Sequence, residues 1–307
     1  MKIANRNRTR PTLLTSALTA LLACSALAED WPQWGGNDPG RNMYSPAKGL
    51  PDRFDPGKPV SGEDVPIKST KNVKWAARLG SQAYGNAVVA GGKVFVGTNN
   101  EYPRDSVHQG DRSILLCLDE KTGELLWQLV VPKLASGKVN DWESLGLLSS
   151  PYVEGNRVYV VTSRCDVLCL DTEGLANGND GPFKDEAKYM GGPGKPPAKV
   201  GAQDADIIWV YDMIDELGVF PHNASNCSVI VVDDVVYTCT SNGQDWTHVN
   251  IPSPNSPSFI ALNKKTGQLV GEDDAQIGPR IYHGQWSSPS TGIVNGKKLL
   301  FFGGGDG

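Results

Sequence analysis

Short apolar stretches alternate along the chain with clusters of glycine, proline, asparagine and aspartate, and one combination recurs. A small or polar residue leads into a brief apolar strand, a tight turn, and a second strand centred on an aromatic residue. The copies are residues 85–89 with 93–96, 150–153 with 157–160, 226–230 with 235–238, and 288–294 with 299–302. Gly91-Gly92, Gly155-Asn156, Asp233-Asp234 and Asn295-Gly296 lie at the turns, residue types that tolerate the positive φ of tight hairpins. After the hairpin a third strand runs into Asp119-Glu120-Lys121-Thr122-Gly123 in one copy and Asn263-Lys264-Lys265-Thr266-Gly267 in another, and a fourth strand follows. Turn signals at this density argue against a helical bundle and against a parallel sheet with crossover helices, so the expected class is all-β.

A four-stranded antiparallel sheet cannot bury its apolar face alone, so repeated sheets of this kind stack around an axis as propeller blades. The motif Asp119-x-x-Thr122-Gly123-x-x-x-Trp127 and the Ser-Pro strand starts resemble the tryptophan-docking repeat of the pyrroloquinoline-quinone-like (quinoprotein-type) β-propellers. Trp31-Pro32-Gln33-Trp34-Gly35-Gly36, Met43-Tyr44-Ser45-Pro46 and Asn72-Val73-Lys74-Trp75 resemble the N-terminal lead-in of the same superfamily. The resemblance runs from about Trp31 to the last residue. It implies a lead-in segment over 29–72 and propeller blades over 73–307, with about three and a half blades present and hence a fragment of a larger ring. The aromatic anchors Phe95, Tyr159, Tyr237 and Phe301 are 64, 78 and 64 residues apart, against ~40–45 for an ordinary four-stranded repeat. The excess falls in insertions at 99–112, 132–146, 175–206 and 243–257, expected as loops over the disc faces.

Composition adds a compartment. Lys2, Arg6, Arg8 and Arg10 precede an apolar run at 13–23 that is too short to span a bilayer, and Ala26-Leu27-Ala28 is a cleavage site, so residues 1–28 read as a signal peptide and the protein as periplasmic or extracellular. Leu21-Leu22-Ala23-Cys24 offers a rival cleavage that would acylate Cys24 as a lipid anchor. No later run has the length of a transmembrane segment. Loss of the four basic residues takes the formal net charge from −5 to −9, which disfavours nucleic acid as a partner. Five cysteines then remain, an odd number; Cys117 and Cys169 occupy equivalent strand positions and read as small core residues.

For chemistry, the segments ahead of the inner strands lie at the mouth of a propeller's channel, a usual place for a ligand. His222-Asn223 precedes the third copy and His283-Gly284-Gln285-Trp286 the fourth, so His222, Asn223, His283, Gln285 and Trp286 are the candidate ligand-binding residues, the imidazoles as polar contacts and Trp286 as a stacking surface. Trp75, Trp127 and Trp209 read as packing between blades. Trp246, with Asp245 and His248, has two readings, cover for a site and the favoured one, an aromatic anchor of its own insertion. No catalytic residue and no metal-ligand set is assigned. The resemblance implies two classes of function. One is a binding or scaffold module for a protein or carbohydrate partner. The other is a dehydrogenase for alcohols or sugars using pyrroloquinoline quinone and calcium, whose adjacent-cysteine signature is absent, no two cysteines being neighbours. The binding module is the favoured reading.

Overall fold

The computed structural model describes residues 29–58 and 67–307, so the expected signal peptide and Cys24 lie outside the described residues. The strands fall into three four-stranded antiparallel sheets and one hairpin, each in simple meander order. The first blade comprises β1 (Val88–Ala90), β2 (Lys93–Asn99), β3 (Arg112–Asp119) and β4 (Leu125–Pro132); the second, β5 (Tyr152–Glu154), β6 (Arg157–Val161), β7 (Asp166–Asp171) and β8 (Ile207–Asp212). The third comprises β9 (Ile230–Val232), β10 (Val235–Cys239), β11 (Phe259–Asn263) and β12 (Leu269–Glu272), and β13 (Ser290–Val294) with β14 (Lys297–Phe301) forms the last hairpin. All four hairpins expected from the pattern are present. The insertions depart from the loop expectation in one respect: that at 175–206 carries a short helix, α1 (Glu186–Gly191). A second, α2 (Met213–Leu217), follows β8, where Asp212 caps it by accepting from the Ile214 and Asp215 amides.

Period-two alternation makes the second blade two-faced. Val158, Val160, Leu168 and Leu170 join a core shared with the first blade, whereas Tyr159, Val161, Val167 and Cys169 join one shared with the third. The tryptophans lock these wedges. Trp127 donates from Nε1 to the Thr172 carbonyl of the next blade (2.9 Å), and Trp209 likewise to Lys264 (3.0 Å). Cys117 stands opposite Trp127, and Cys169 opposite Trp209, in register across their strands. The recurring turn explains where a tryptophan lands. Asp119 Oδ1 accepts from the Lys121 and Thr122 amides, both at 2.8 Å, and Asn263 Oδ1 from Lys265 and Thr266, so Asp and Asn are interchangeable there. Gly267 sits at φ 72° under the Trp209 indole, and a Cβ there would come within 2.6 Å of it.

The lead-in segment crosses the inner strands. Trp31 pairs with Val89 in both directions, Pro32 accepts from the Val153 amide, Arg41 donates to the Ser228 and Val229 carbonyls, and Pro39 accepts from Thr291. All five cysteines after Cys24 are buried free thiols. Among the described residues no helix is long and apolar enough to cross a membrane.

Candidate functional site

Where the third blade meets the last hairpin, three chain segments come together without regular secondary structure. Residues 241–244, leaving β10, run in the middle. On one side the His222 amide donates to Ser241 (3.1 Å) and the Gly243 amide to Phe220 (2.9 Å); on the other, Gln244 donates to His283 (2.8 Å) and Gln285 to Asn242 (2.9 Å). Gly243 makes the approach feasible, since a Cβ there would lie 2.5 Å from the His283 carbonyl oxygen and 2.7 Å from the His222 Cβ.

This ladder sets His222 beside His283, their ring centres 4.4 Å apart. A third imidazole closes the group: His248 lies 4.9 Å from His222 and 4.7 Å from His283, with all three ring pairs steeply inclined. One nitrogen from each ring lies within 4.8 Å of the others. His248 is brought here by a turn tied by Asp245, whose carboxylate accepts from the Thr247 amide and hydroxyl and from Asn250. Those bonds hold the Asp245 pKa below the ordinary carboxylate range.

His222 is the anchor of the group, at 1% exposure. Its Nδ1 lies 2.6 Å from the Gln244 carbonyl oxygen, which can only accept, so Nδ1 carries the proton and Nε2 keeps its lone pair. That buried Nε2 has no hydrogen-bond partner among the described residues. Burial lowers the His222 pKa, helped by the other two imidazoles, and burial with the neighbouring His248 lowers that of His283, which favours neutral rings. A neutral imidazole with its other N–H on a carbonyl is the form that ligates metals.

Of the residues singled out from sequence, the structure brings His222 and His283 together. Trp286 walls the pair, 5.0 Å from the His283 ring, with its indole N–H on the His222 carbonyl. Gln285 is buried and occupied elsewhere, donating to Gly303 (2.7 Å) and accepting from the Gly305 amide (2.7 Å); it clamps the loop after β14. Asn223 serves through its backbone, exchanging hydrogen bonds with Val139 and Trp142 of the 132–146 insertion. The expectation for Trp246 is corrected: it is 75% exposed and anchors nothing, the turn being held by Asp245. His248 is the member of the cluster that sequence reasoning placed only in the less favoured reading, as cover for a site rather than as a ligand-binding residue. No metal set was legible because the three histidines stand 26 and 35 residues apart, without a short ligand spacing.

A model of the family described as "Outer membrane protein assembly factor BamB" matches residues 69–281. The chain belongs to this PQQ-like propeller family. No curated protein matches. Among solved structures it is similar to a quinohemoprotein alcohol dehydrogenase from Comamonas testosteroni (12% identity, 78% of this chain and 26% of that one, TM-score 0.46). It is also similar to a europium-containing methanol dehydrogenase (12%, 79% and 31%, TM-score 0.44) and to BamB from Moraxella catarrhalis (13%, 76% and 62%, TM-score 0.36). The chain thus spans about a quarter to a third of the length of those two dehydrogenases. The family match ends at Ile281, two residues before His283, so His222 and His248 lie within the matched residues and His283 just beyond them.

Proposed function

We propose that this PQQ-like propeller chain is an exported binding module whose ligand site is the mouth formed by His222, His248 and His283. The observation that carries the reading is the buried Nε2 of His222. An unsatisfied buried polar atom costs about 1–3 kcal/mol, a cost that is recovered when a ligand engages the atom. Beside it stand two solvent-facing imidazoles and the Trp286 indole, an apolar and polar mixture suited to recognition. The basic start, apolar run and Ala-Leu-Ala site support export to the periplasm or beyond, and the ligand's carrier there would be a protein or a carbohydrate. The quinone alternative draws no support from Trp286 as a stacking surface for a planar cofactor, because the indole packs against the rings of His222 and His283.

The test is a thermal-shift screen of the mature chain with saccharides, peptides, divalent ions, and quinone plus calcium, repeated on a variant in which 246–249 is replaced by Gly and Ser. A ligand whose stabilisation is lost in the variant supports the mouth as the site. Ligands whose stabilisation survives the replacement would overturn it, and retention of the chain in the cytoplasm on cell fractionation would overturn export.

A further inference from the structure

Resting on that reading of the mouth, we infer that it binds a borderline divalent transition-metal ion, of the zinc, copper, nickel or cobalt class, through His222 Nε2 and one ring nitrogen each from His248 and His283.

Four observations converge. The donor set is three imidazoles, which suits this class of ion, while calcium and magnesium take oxygen ligands. His222 has its tautomer set by the Gln244 carbonyl, leaving a buried lone pair on Nε2. Gln244 in turn donates its amide to the His283 carbonyl, so the support of one ligand is bonded to the backbone of another. Asp245 adds negative charge nearby without spending itself as a ligand, since both its oxygens are taken up by the turn.

Distance sets what must move. Tetrahedral bonds of about 2.0–2.1 Å put ligand nitrogens roughly 3.3 Å apart, and the three nitrogens here lie within 4.8 Å of one another. Closure therefore asks for a shift of about 1.5 Å or less, which His248 and His283 can supply by side-chain rotation at the surface. His222 is fixed by burial and acts as the seat. Three protein ligands leave a further position for water or for an oxygen or nitrogen donor of a bound partner, the arrangement of an open rather than a closed metal site.

The experiment is calorimetric titration of the untagged mature chain, stripped with chelator, with zinc and with cobalt, calcium and magnesium serving as controls. One equivalent of zinc is expected to bind. His248→Ala and His283→Ala, which remove surface side chains and leave the fold intact, should each weaken it about tenfold or more. His222→Ala should abolish it, but its burial makes the two surface variants the decisive ones. Copper should quench tryptophan fluorescence through Trp286, and Trp286→Phe should reduce that quenching. No zinc uptake, uptake unaltered in both surface variants, or equal uptake of calcium would overturn the metal site. If metal fails while another ligand still depends on 246–249, the mouth stands and the ion falls; if neither binds, both fall.

Discussion

The junction between the first two blades and the junction between the third blade and the last hairpin are written in the same repeat, yet they are held by different forces. Four residues beyond the turn glycine, the first copy has Trp127, fully buried and bonded to the next blade. The third has Gly271, opposite Ala261, where the others place tryptophan opposite cysteine. A second contrast matches the first. Leu147 donates its amide to Thr98, as Gln285 does to Asn242, but the first side chain enters an apolar core and the second a hydrogen-bonded clamp. Where the indole wedge is missing, the hydrogen bonds of Gln285 and the stacked rings of Phe259 and Phe302, 4.0 Å apart, hold the joint. The imidazole cluster sits in that polar joint. A fully apolar wedge closes against solvent, while a polar one can stay open to a ligand.

The largest effect that would break this contrast is Trp127→Ala, which empties the apolar wedge. It should cost about 3–5 kcal/mol in urea denaturation, as buried tryptophan truncations do; a loss below 1 kcal/mol would deny the indole its role. Next, Gln285→Leu imitates the apolar joint at the polar one. By leaving the Gly303 carbonyl and Gly305 amide without their partner, it should destabilise by about 1–3 kcal/mol, whereas Leu147 at its own position is stabilising. The smallest effect concerns a buried acid within the second blade. Burial pushes the Asp166 pKa up to about 6, against the opposing Arg164 charge and hydrogen bonds from Tyr189 and Thr162, with Asp212 adding to the rise. The folded state therefore keeps a proton that the unfolded chain releases near pH 4, so this group makes stability fall as pH rises from about 4 to about 6. Asp166→Asn should flatten that segment of the stability profile, gaining relative to the parent at pH 7; identical slopes in both proteins would contradict it.

The repeat was readable because its grammar is local. A two-residue turn, an alternating strand and an Asp or Asn that bonds two following amides act within a few residues of sequence, and all four hairpins followed from them. The sequence also singled out His222 and His283 by a local feature, their shared place ahead of an inner strand, and the structure sets their rings 4.4 Å apart. His248 could not be singled out in this way, because its position depends on an Asp245 turn within an insertion and on a glycine, Gly243, that lets distant segments touch. The occupation of Gln285 was hidden likewise, since its partners at 303–305 belong to a loop that no periodicity describes.

The lead-in segment gives folding a reversed order. Arg41 reaches carbonyls 187 and 188 residues downstream, so a stretch made early on the ribosome cannot reach its place until the third blade exists. Loop-closure entropy makes such distant pairing slow, and until it occurs the inner edges of β1 and β5 and the strand starts near Ser228 and Thr291 lack their partner. The lead-in, made before the blades it crosses, is thus among the last parts to settle, and the interval before it does is when this molecule is most exposed to pairing with another chain.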